Sequence, residues 1–260
     1  MQHENYDFPV EFAPVFTTGT LAGKEIKIAM PKKLAVVRTD TNQSLGIVSD
    51  KYAFLKHSDV VDGFRKALAG QEFTESINLQ RDGAQLYAKY TLKGVSADVQ
   101  KGDLVGMQLT ARNSYDGSAQ LHLSLGAMRL VCKNGMVMTK NFVEFSHKHI
   151  GTALTLDVAE VKSNIEMMMA RFKESIPHMQ NMSRTNLHKA EDELFNKNLK
   201  IPTYLLEEAK ESFKTNGDST VWGFYNALTF AITHKMRKEA PALATYYGQL
   251  AWSAAFRELV

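Results

Sequence analysis

Apolar and polar residues alternate along the chain between residues 103 and 136. Every second residue is apolar from Val105 to Ala111, and the same period returns from Ala119 to Leu125. A period of two is typical of strands that bury one face. An Asp-Gly pair at 116–117 lies between the two runs and suits the positive-φ positions of a tight hairpin. The pattern therefore predicts a long hairpin around which the rest of the chain packs.

The alternation changes phase at Gly126. In the run before Gly126 the odd-numbered residues are apolar and the even-numbered ones are polar. After Gly126 the even-numbered Leu130 and Cys132 are apolar, and the charged Arg129 has an odd number. One additional residue in a strand produces such a shift, and glycine is common at these positions. The sequence therefore predicts a β-bulge or a strand end at Gly126.

Upstream of the central hairpin, the pattern predicts a helix followed by a second hairpin. Apolar residues recur at three- and four-residue steps after His57, and Gly70 is suited to end the helix. Two alternating runs, 73–79 and 86–92, are joined through a second Asp-Gly pair at 82–83. A helix followed by four consecutive strands indicates an antiparallel β meander with a packed helix.

The two ends of the chain differ from this centre. Residues 1–23 contain two prolines and two glycines among scattered aromatic residues, which predicts an N-terminal arm in extended conformation. Residues 24–150 are expected to form an antiparallel β-rich domain with one helix. Residues 151–260 have helical periodicity and are expected to form a helical region packed on or beside that domain. The predicted fold class is therefore α+β.

Five helices are predicted in the last region. The first begins after the capping residue Asp157 and ends at Pro177, because proline lacks the N–H group that a helix interior requires. The other predicted helices span 184–196, 202–215, 219–238 and 241–259.

Composition places the chain among ordinary soluble globular proteins. It has 260 residues, 44% of them hydrophobic, and 31 basic against 28 acidic residues give a net charge of +3. Residues 1–150 hold 18 basic and 15 acidic residues, so the excess lies in the β-rich part and is compatible with a polyanion partner. One cysteine fits a reducing compartment, and no apolar run reaches the ~20 residues of a membrane span. A cytoplasmic protein without a membrane partner is predicted.

Catalytic and metal-binding motifs are weak. Cys132 with His147 or His149 could pair a nucleophile with a base, but Cys132 lies in an apolar run, where buried and unreactive thiols are common. The two histidines are too few for a zinc site, and no phosphate-binding or nucleophile motif accompanies them. The sequence therefore predicts no catalytic residue, no metal and no cofactor, and it leaves open whether the protein is an enzyme.

Cationic, polar and aromatic residues concentrate around the central hairpin and the strands beside it. Cations neutralise phosphates and exposed aromatic rings stack on bases, so this combination is typical of a single-strand binding surface. Tyr115 is expected to be exposed at the hairpin tip. For Arg112 and Arg129, bonds to carboxylates or carbonyls at strand ends are an equally good interpretation. The candidate nucleic-acid-binding residues are Arg112, Asn113, Tyr115, Arg129, Lys133, Lys89, Lys93, Lys51 and Tyr52.

Three segments, in this order, carry a resemblance to a known family. They are 45–52 (LGIVSDKY), the hairpin 113–118 (NSYDGS) leading to 129–134 (RLVCKN), and 222–229 (WGFYNALT) with His234. Together they resemble the phage/plasmid-like protein family, a domain of unknown function carried mainly by bacteriophages and plasmids. Tyr115 stands where many members have histidine, which removes any role that requires an imidazole at that position.

The resemblance implies a mobile-element protein that acts near DNA in the cytoplasm of a host bacterial cell. At fold level, a helix, an antiparallel meander and further helices are similar to the single-strand annealing proteins of phages and eukaryotes. With the basic β-rich part, this predicts a homo-oligomer that binds and anneals single-stranded DNA in recombination or replication without ATP. The alternative is a phage-encoded interaction protein that inhibits a host defence or host enzyme. A hydrolase that uses His147 and His149 is a third hypothesis.

Overall fold

The fold is that of a computed structural model, which describes residues 5–130, 134–137, 145–147, 155–236 and 241–259. Antiparallel sheets occupy the N-terminal half and helices the C-terminal half, so the predicted α+β class is confirmed. Within the described ranges, none of the helices has the length and apolar character needed to cross a membrane.

A three-stranded sheet begins the fold. Strand β1 (Val10–Leu21) pairs with β2 (Lys24–Arg38), and β2 pairs with β3 (Gln43–Ser49). Most of the segment predicted as an arm is thus strand β1, which pairs with β2 at both of its ends. Because β3 pairs only with residues 33–38 of β2, the outer part of the β1–β2 hairpin is a two-stranded ribbon.

Among the described residues, the large sheet has six strands, and it contains the predicted meander. Strands β4 to β7 are neighbours in chain order, and β8 and β9 both pair with the free edge of β7. Both predicted Asp-Gly hairpins are present, with φ of +95° at Gly83 and +73° at Gly117. The tight turn expected at 116–117 is wrong, because residues 115–120 connect β6 to β7 and Asp116 does not have a positive φ. The strands are β4 (Phe73–Gln80), β5 (Gln85–Gln100), β6 (Asp103–Ser114), β7 (Leu121–Arg129), β8 (Asn134–Val137) and β9 (Phe145–His147).

Strand β7 is regular through Gly126, and the bulge predicted there is wrong. Its register against β6 is continuous from His122, opposite Arg112, to Arg129, opposite Val105. The change of phase has a different cause. Arg129 keeps the parity of the core because a buried carboxylate pairs with it, as described below.

The described part of the chain contains six α-helices, and two of them differ from the helices that the sequence pattern predicts. The first correction concerns α2, which continues through Pro177 to Arg184 although an end at Pro177 was expected. Met179 and Met182 lie beyond the proline and are fully buried, so their packing compensates for the missing backbone hydrogen bond. The helices are α1 (His57–Ala67), α2 (Val158–Arg184), α3 (Glu191–Leu194), α4 (Thr203–Asn216), α5 (Val221–His234) and α6 (Pro241–Arg257).

The second correction concerns the helix predicted at 184–196, which is reduced to the single turn of α3. The chain after α2 is extended because Asn186 forms a β-bridge with Thr220, and the N–H of Leu187 donates to the carbonyl of Ser219. The predicted helices near 202, 219 and 241 are confirmed as α4, α5 and α6.

One face of the large sheet packs against the helices in a shared core. Leu86, Ala88 and Tyr90 alternate along β5 and are fully buried, as are Phe64 of α1 and Trp222 of α5. Burial of one large apolar side chain stabilises a fold by about 1.5–3 kcal/mol. This core therefore fixes which face of each strand remains available to solvent.

A second, smaller core joins the three-stranded sheet to the hairpin ends of the large sheet. A Cβ at Gly46 would lie 2.6 Å from Cα of Asp116, so only glycine permits β3 to come this close. The region, together with the neighbouring His57 and Asn113, is called the joint below. The small core consists of Phe8, Val10, Val36, Leu45, Val48, Ala84 and Tyr115.

Candidate nucleic-acid interface

The large sheet turns one face away from the helices, and this is called the open face. Residues opposite one another in neighbouring strands point to the same side of a sheet, and alternate residues point to opposite sides. The pairing registers therefore define the open face. It consists of Thr74, Ser76 and Asn78 of β4, Gln85, Tyr87, Lys89 and Thr91 of β5, Gln108, Thr110, Arg112 and Ser114 of β6, and His122, Ser124, Gly126 and Met128 of β7.

The charge of the open face is positive. Lys89 and Arg112 contribute full positive charges, and none of the residues that define the face is Asp or Glu. The register places the carboxylate of Asp98 further along the same side, opposite Leu104 near the end of β5. Lys89 is exposed and lies between two neutral hydroxyl residues, Ser76 and Thr110, on the adjacent strands. Neighbouring atoms remove part of the water around its ammonium group and lower the pKa of Lys89, although the side chain as a whole is exposed. A bound anion would compensate for this lost hydration.

Arg112 lies over an aromatic ring on the same face. The guanidinium carbon is 5.3 Å from the ring centroid of Tyr87, which is directly opposite Arg112 in the register. Nε of Arg112 is buried and has no hydrogen-bond partner, and no carboxylate among the described residues pairs with this guanidinium. Burial raises the pKa of Tyr87, so the ring is neutral and the cation–π contact persists at neutral pH. Arg112 thus lies over an aromatic ring and keeps one donor, Nε, without a partner among the described residues.

The carboxylate of Asp116 lies at the hairpin end beside the open face, but neighbouring side chains already bind it. Asp116 Oδ2 is 3.1 Å from Nη1 of Arg81 and accepts from Gln85 at 3.3 Å, while Oδ1 accepts from Ser118. Burial raises the pKa of Asp116, but these hydrogen bonds together hold that pKa below its ordinary value. The charge of Asp116 is therefore largely satisfied by Arg81 and by the turn.

Tyr115 is buried, so the expectation of an exposed aromatic at the hairpin tip is wrong. Only 1% of the residue is accessible, because the three-stranded sheet covers the hairpin end. The backbone N–H of His57 donates to Oη of Tyr115 at 2.8 Å, and the two rings stack with centroids 4.0 Å apart. Burial raises the pKa of Tyr115. The ring belongs to the joint and has no free face for a base.

Asn113 is also buried in the joint, which removes it from any surface role. Its Nδ2–H group donates to the carbonyl of Leu55 at 2.8 Å and to Nδ1 of His57 at 3.0 Å. Nε2 of His57 lies 3.0 Å from the carbonyl of Gly83, so a neutral imidazole that donates from Nε2 and accepts at Nδ1 satisfies both contacts. Oδ1 of Asn113 accepts no hydrogen bond from the described residues.

Arg129 lies on the helix side of the sheet and not on the open face. Its Nε is hydrogen-bonded to Oδ1 of Asp103, a carboxylate that is only 4% exposed. The other carboxylate oxygen, Oδ2, accepts from Nε1–H of Trp222 at 2.7 Å. For Arg129, the alternative of a carboxylate partner at the strand end is therefore confirmed. Asp103, which the sequence pattern did not single out, links the sheet to α5.

The remaining candidates lie around the open face. Tyr52 is half-buried in the joint, where its hydroxyl donates to the carbonyl of Ser114 at 2.8 Å, and burial raises the pKa of Tyr52 to about 12. Lys51 is exposed beside it. Lys93 is exposed in the middle of β5, where it pairs with Glu72. Lys133 falls outside the described residues.

The candidates for catalysis and metal binding gain no support from geometry. Cys132 and His149 lie outside the described residues, and only the backbone of His147 is described, in β9. Among the described side chains, no three His, Cys, Asp or Glu residues converge in a way that could hold a metal ion.

Tyr87 and His122 were missed as site residues by the sequence pattern. Alternation along β5 already turns Tyr87 outward, but its position beneath Arg112 follows only from the register of two strands. His122 lies opposite Arg112 on β7 and depends on the same register. Neither pair follows from counting outward from the Asp-Gly turns, because the β5–β6 register shifts twice and the β6–β7 connection is longer than a two-residue turn.

Comparison with known proteins identifies a family and no characterised relative. No curated protein matches the chain, and no solved structure matches it. A family model described as a domain of unknown function (DUF932) matches residues 44–249, which include α1, the whole of the meander, and α2 to α5. The chain therefore belongs to the DUF932 family of domains of unknown function.

Proposed function

We propose that this protein binds single-stranded DNA across the open face of the large sheet and anneals complementary strands without ATP. The observation that carries the proposal is the charge of that face: Lys89 and Arg112 lie among neutral residues with no carboxylate between them. A polyanion is the ligand class that such a surface attracts most strongly.

The chemistry of Arg112 supports a single strand as the ligand. A guanidinium beside an aromatic ring can stack on a base and donate to a phosphate, and that of Arg112 lies 5.3 Å from the ring centroid of Tyr87. Stacking contributes about 1–3 kcal/mol per base and tolerates any sequence, which suits annealing. The hydroxyl groups of Thr110 and Ser124, opposite one another beside Lys89, add donors for backbone oxygens.

The setting of this activity is proposed from the three sequence segments that resemble phage and plasmid proteins. Annealing in recombination or replication of a mobile element fits those segments, as do a homo-oligomer and the cytoplasm of a host bacterial cell. Annealing needs no nucleotide hydrolysis, which agrees with a chain that contains no phosphate-binding loop motif.

Binding is tested by fluorescence anisotropy with a labelled oligothymidine of about 30 nucleotides between about 50 and 200 mM salt. Replacement of both cations, Lys89→Ala with Arg112→Ala, is expected to weaken binding about tenfold or more. The salt slope, which is the slope of log K against log[salt], is expected to become shallower by about 1.4, or ~0.7 per lost phosphate contact. The matched control is Lys162→Ala with Lys173→Ala, two exposed lysines of α2. Equal affinity and slope for the wild type and the open-face variant would contradict the proposal.

A second candidate is a phage-encoded protein that inhibits a host defence or host enzyme. It is favoured by three large apolar residues on the outside of α6, Leu243, Tyr246 and Phe256, which are 42–49% exposed. This function predicts that wild-type protein binds no oligonucleotide even at low salt. The same anisotropy experiment therefore separates the two candidates.

A further inference from the structure

The ribbon, residues 16–33 of β1 and β2, projects from the joint and presents both of its faces to solvent. Six consecutive residue pairs, from Phe16–Ala29 to Leu21–Lys24, extend it by ~20 Å. Leu21 and Ile28 are 65% and 52% exposed, and no third described strand pairs with residues 16–29. A two-stranded hairpin without further packing is only marginally stable in water, so a partner that binds the ribbon would stabilise it.

The charge of the ribbon indicates the chemistry of that partner. Residues 16–33 contain four lysines and one glutamate, Glu25. All four lysines are exposed, and none forms an ion pair with a described residue. The surface is thus complementary to a polyanion. The lysines are Lys24, Lys27, Lys32 and Lys33.

The ribbon also repeats the combination of cation and aromatic ring found on the open face. Nζ of Lys27 lies 4.3 Å from the ring centroid of Phe16, which is 44% exposed. The corresponding distance between Arg112 and Tyr87 is 5.3 Å. An aromatic ring with a cation beside it gives a nucleotide both a stacking surface and a phosphate partner.

The joint connects the two surfaces. Ser114 lies two residues beyond Arg112 on the same face of β6, and its carbonyl accepts from the hydroxyl of Tyr52. Lys51 precedes Tyr52 and is exposed. The N–H of the adjacent Asp50 donates to the carbonyl of Lys32 at the base of the ribbon. These contacts place Lys51 between the Arg112 end of β6 and the base of the ribbon.

From this arrangement we infer that the ribbon is the second half of the polynucleotide interface. A single strand that occupies the open face continues past Lys51 onto the ribbon, where lysines contact phosphates and Phe16 stacks on a base. This inference rests on the proposed function. It adds that the binding site is longer than the open face and that the ribbon is the element that lengthens it.

The test compares three proteins on oligothymidines of increasing length. The ribbon variant replaces Lys24, Lys27, Lys32 and Lys33 with alanine, and the face variant is Lys89→Ala with Arg112→Ala. Wild-type affinity is expected to rise with the length of the oligothymidine until the oligothymidine covers both the open face and the ribbon. The ribbon variant should stop gaining affinity at a shorter length, and its salt slope on long oligonucleotides should fall by up to about 2.8, or ~0.7 for each lysine. Phe16→Ala should weaken binding of long oligonucleotides only.

The outcomes separate failure of this inference from failure of the proposed function. The inference is overturned if the ribbon variant shows the same length dependence and salt slope as the wild type. The face variant tests the open face independently of that result. The inference is also overturned if Leu21→Ser with Ile28→Ser lowers the mass of the assembly in light scattering and leaves binding of long oligonucleotides unchanged. The ribbon would then be a contact between copies of the chain. Absence of wild-type binding at any length removes both proposals.

Discussion

The open face and the joint contain the same kinds of residue and use them in opposite ways. On the open face, Nε of Arg112 has no partner and the Tyr87 hydroxyl makes only a long contact with Gln85, whereas Asn113 and Tyr115 in the joint are buried and bonded to His57. Arg112 and Asn113 are adjacent in sequence, so their difference does not come from composition. It comes from strand parity and from the three-stranded sheet, which covers the hairpin end and leaves the face of the meander open.

This comparison gives a rule for substitutions in this protein. Polar residues with buried partners are expected to change the free energy of unfolding and to leave binding by the folded protein unchanged. Exposed residues of the open face, such as Lys89 and Asn78, are expected to do the reverse, because a solvent-exposed side chain seldom changes stability by more than about 0.5 kcal/mol.

The largest loss of stability is expected for Asp103→Ala. The substitution leaves Arg129 and Nε1 of Trp222 without their shared carboxylate in the core. Removal of one partner from a buried ion pair costs about 3–5 kcal/mol. Urea unfolding measures the loss, and Asp98→Ala is the control because Asp98 is an exposed carboxylate of the same sheet. A loss below about 1 kcal/mol would show that Asp103 does not link the sheet to α5.

A smaller loss is expected for Asn113→Ala, about 2–4 kcal/mol. The change removes the donor to the carbonyl of Leu55 and to Nδ1 of His57, and each buried acceptor left without a partner costs about 1–3 kcal/mol. The matched control is Asn78→Ala, because Asn78 is exposed on the open face. Similar stability for the two variants in urea would mean that the joint and the open face do not differ as described.

Removal of a single hydroxyl sharpens the same contrast. Tyr115→Phe leaves the buried N–H of His57 without an acceptor and is expected to cost about 1–2 kcal/mol. Tyr87→Phe loses only a long contact of 3.5 Å with Gln85 and is expected to leave stability unchanged. Thermal unfolding of both variants decides the point, and a larger loss for Tyr87→Phe would reverse the assignment of the two rings.

The smallest effect is an alkaline loss of stability at the joint. Burial raises the pKa of Tyr52 from 10.0 to about 12, so the folded state retains a proton that the unfolded chain releases. The stabilisation is complete below pH 10 and is lost as the pH rises through 12. Tyr52→Phe should therefore make stability fall less steeply across this interval in a pH series of urea melts. An identical slope for the two proteins would show that Tyr52 is not desolvated in the fold.

Local patterns were sufficient for most of the fold. Alternation around the two Asp-Gly turns predicts the meander, because a strand that buries one face needs only its own residues to display the period. Helix boundaries were predicted less well. Pro177 does not end α2, because burial of Met179 and Met182 outweighs a cost of about 3 kcal/mol that local rules assign to proline.

The candidate site required information that lies far apart in the chain. Tyr115 has the sequence context of an exposed hairpin tip, and its burial follows from Phe8 and Val48, which are distant in sequence and come from the small sheet. Arg129 has the context of an exposed strand end, and its partner Asp103 is fixed by the pairing of β6 with β7. Lys89 and Arg112 were predicted correctly as outward-facing because parity within a single strand decides their side of the sheet.

The most direct measurement of the central claim is lysine acetylation of the wild-type protein with and without a bound oligothymidine, read by mass spectrometry. Lys89 is exposed, and it is expected to become protected in the complex, while Lys162 and Lys173 of α2 keep their reactivity. Equal acetylation of Lys89 in the free protein and in a complex that anisotropy shows to be saturated would contradict the assignment of the open face as the binding surface.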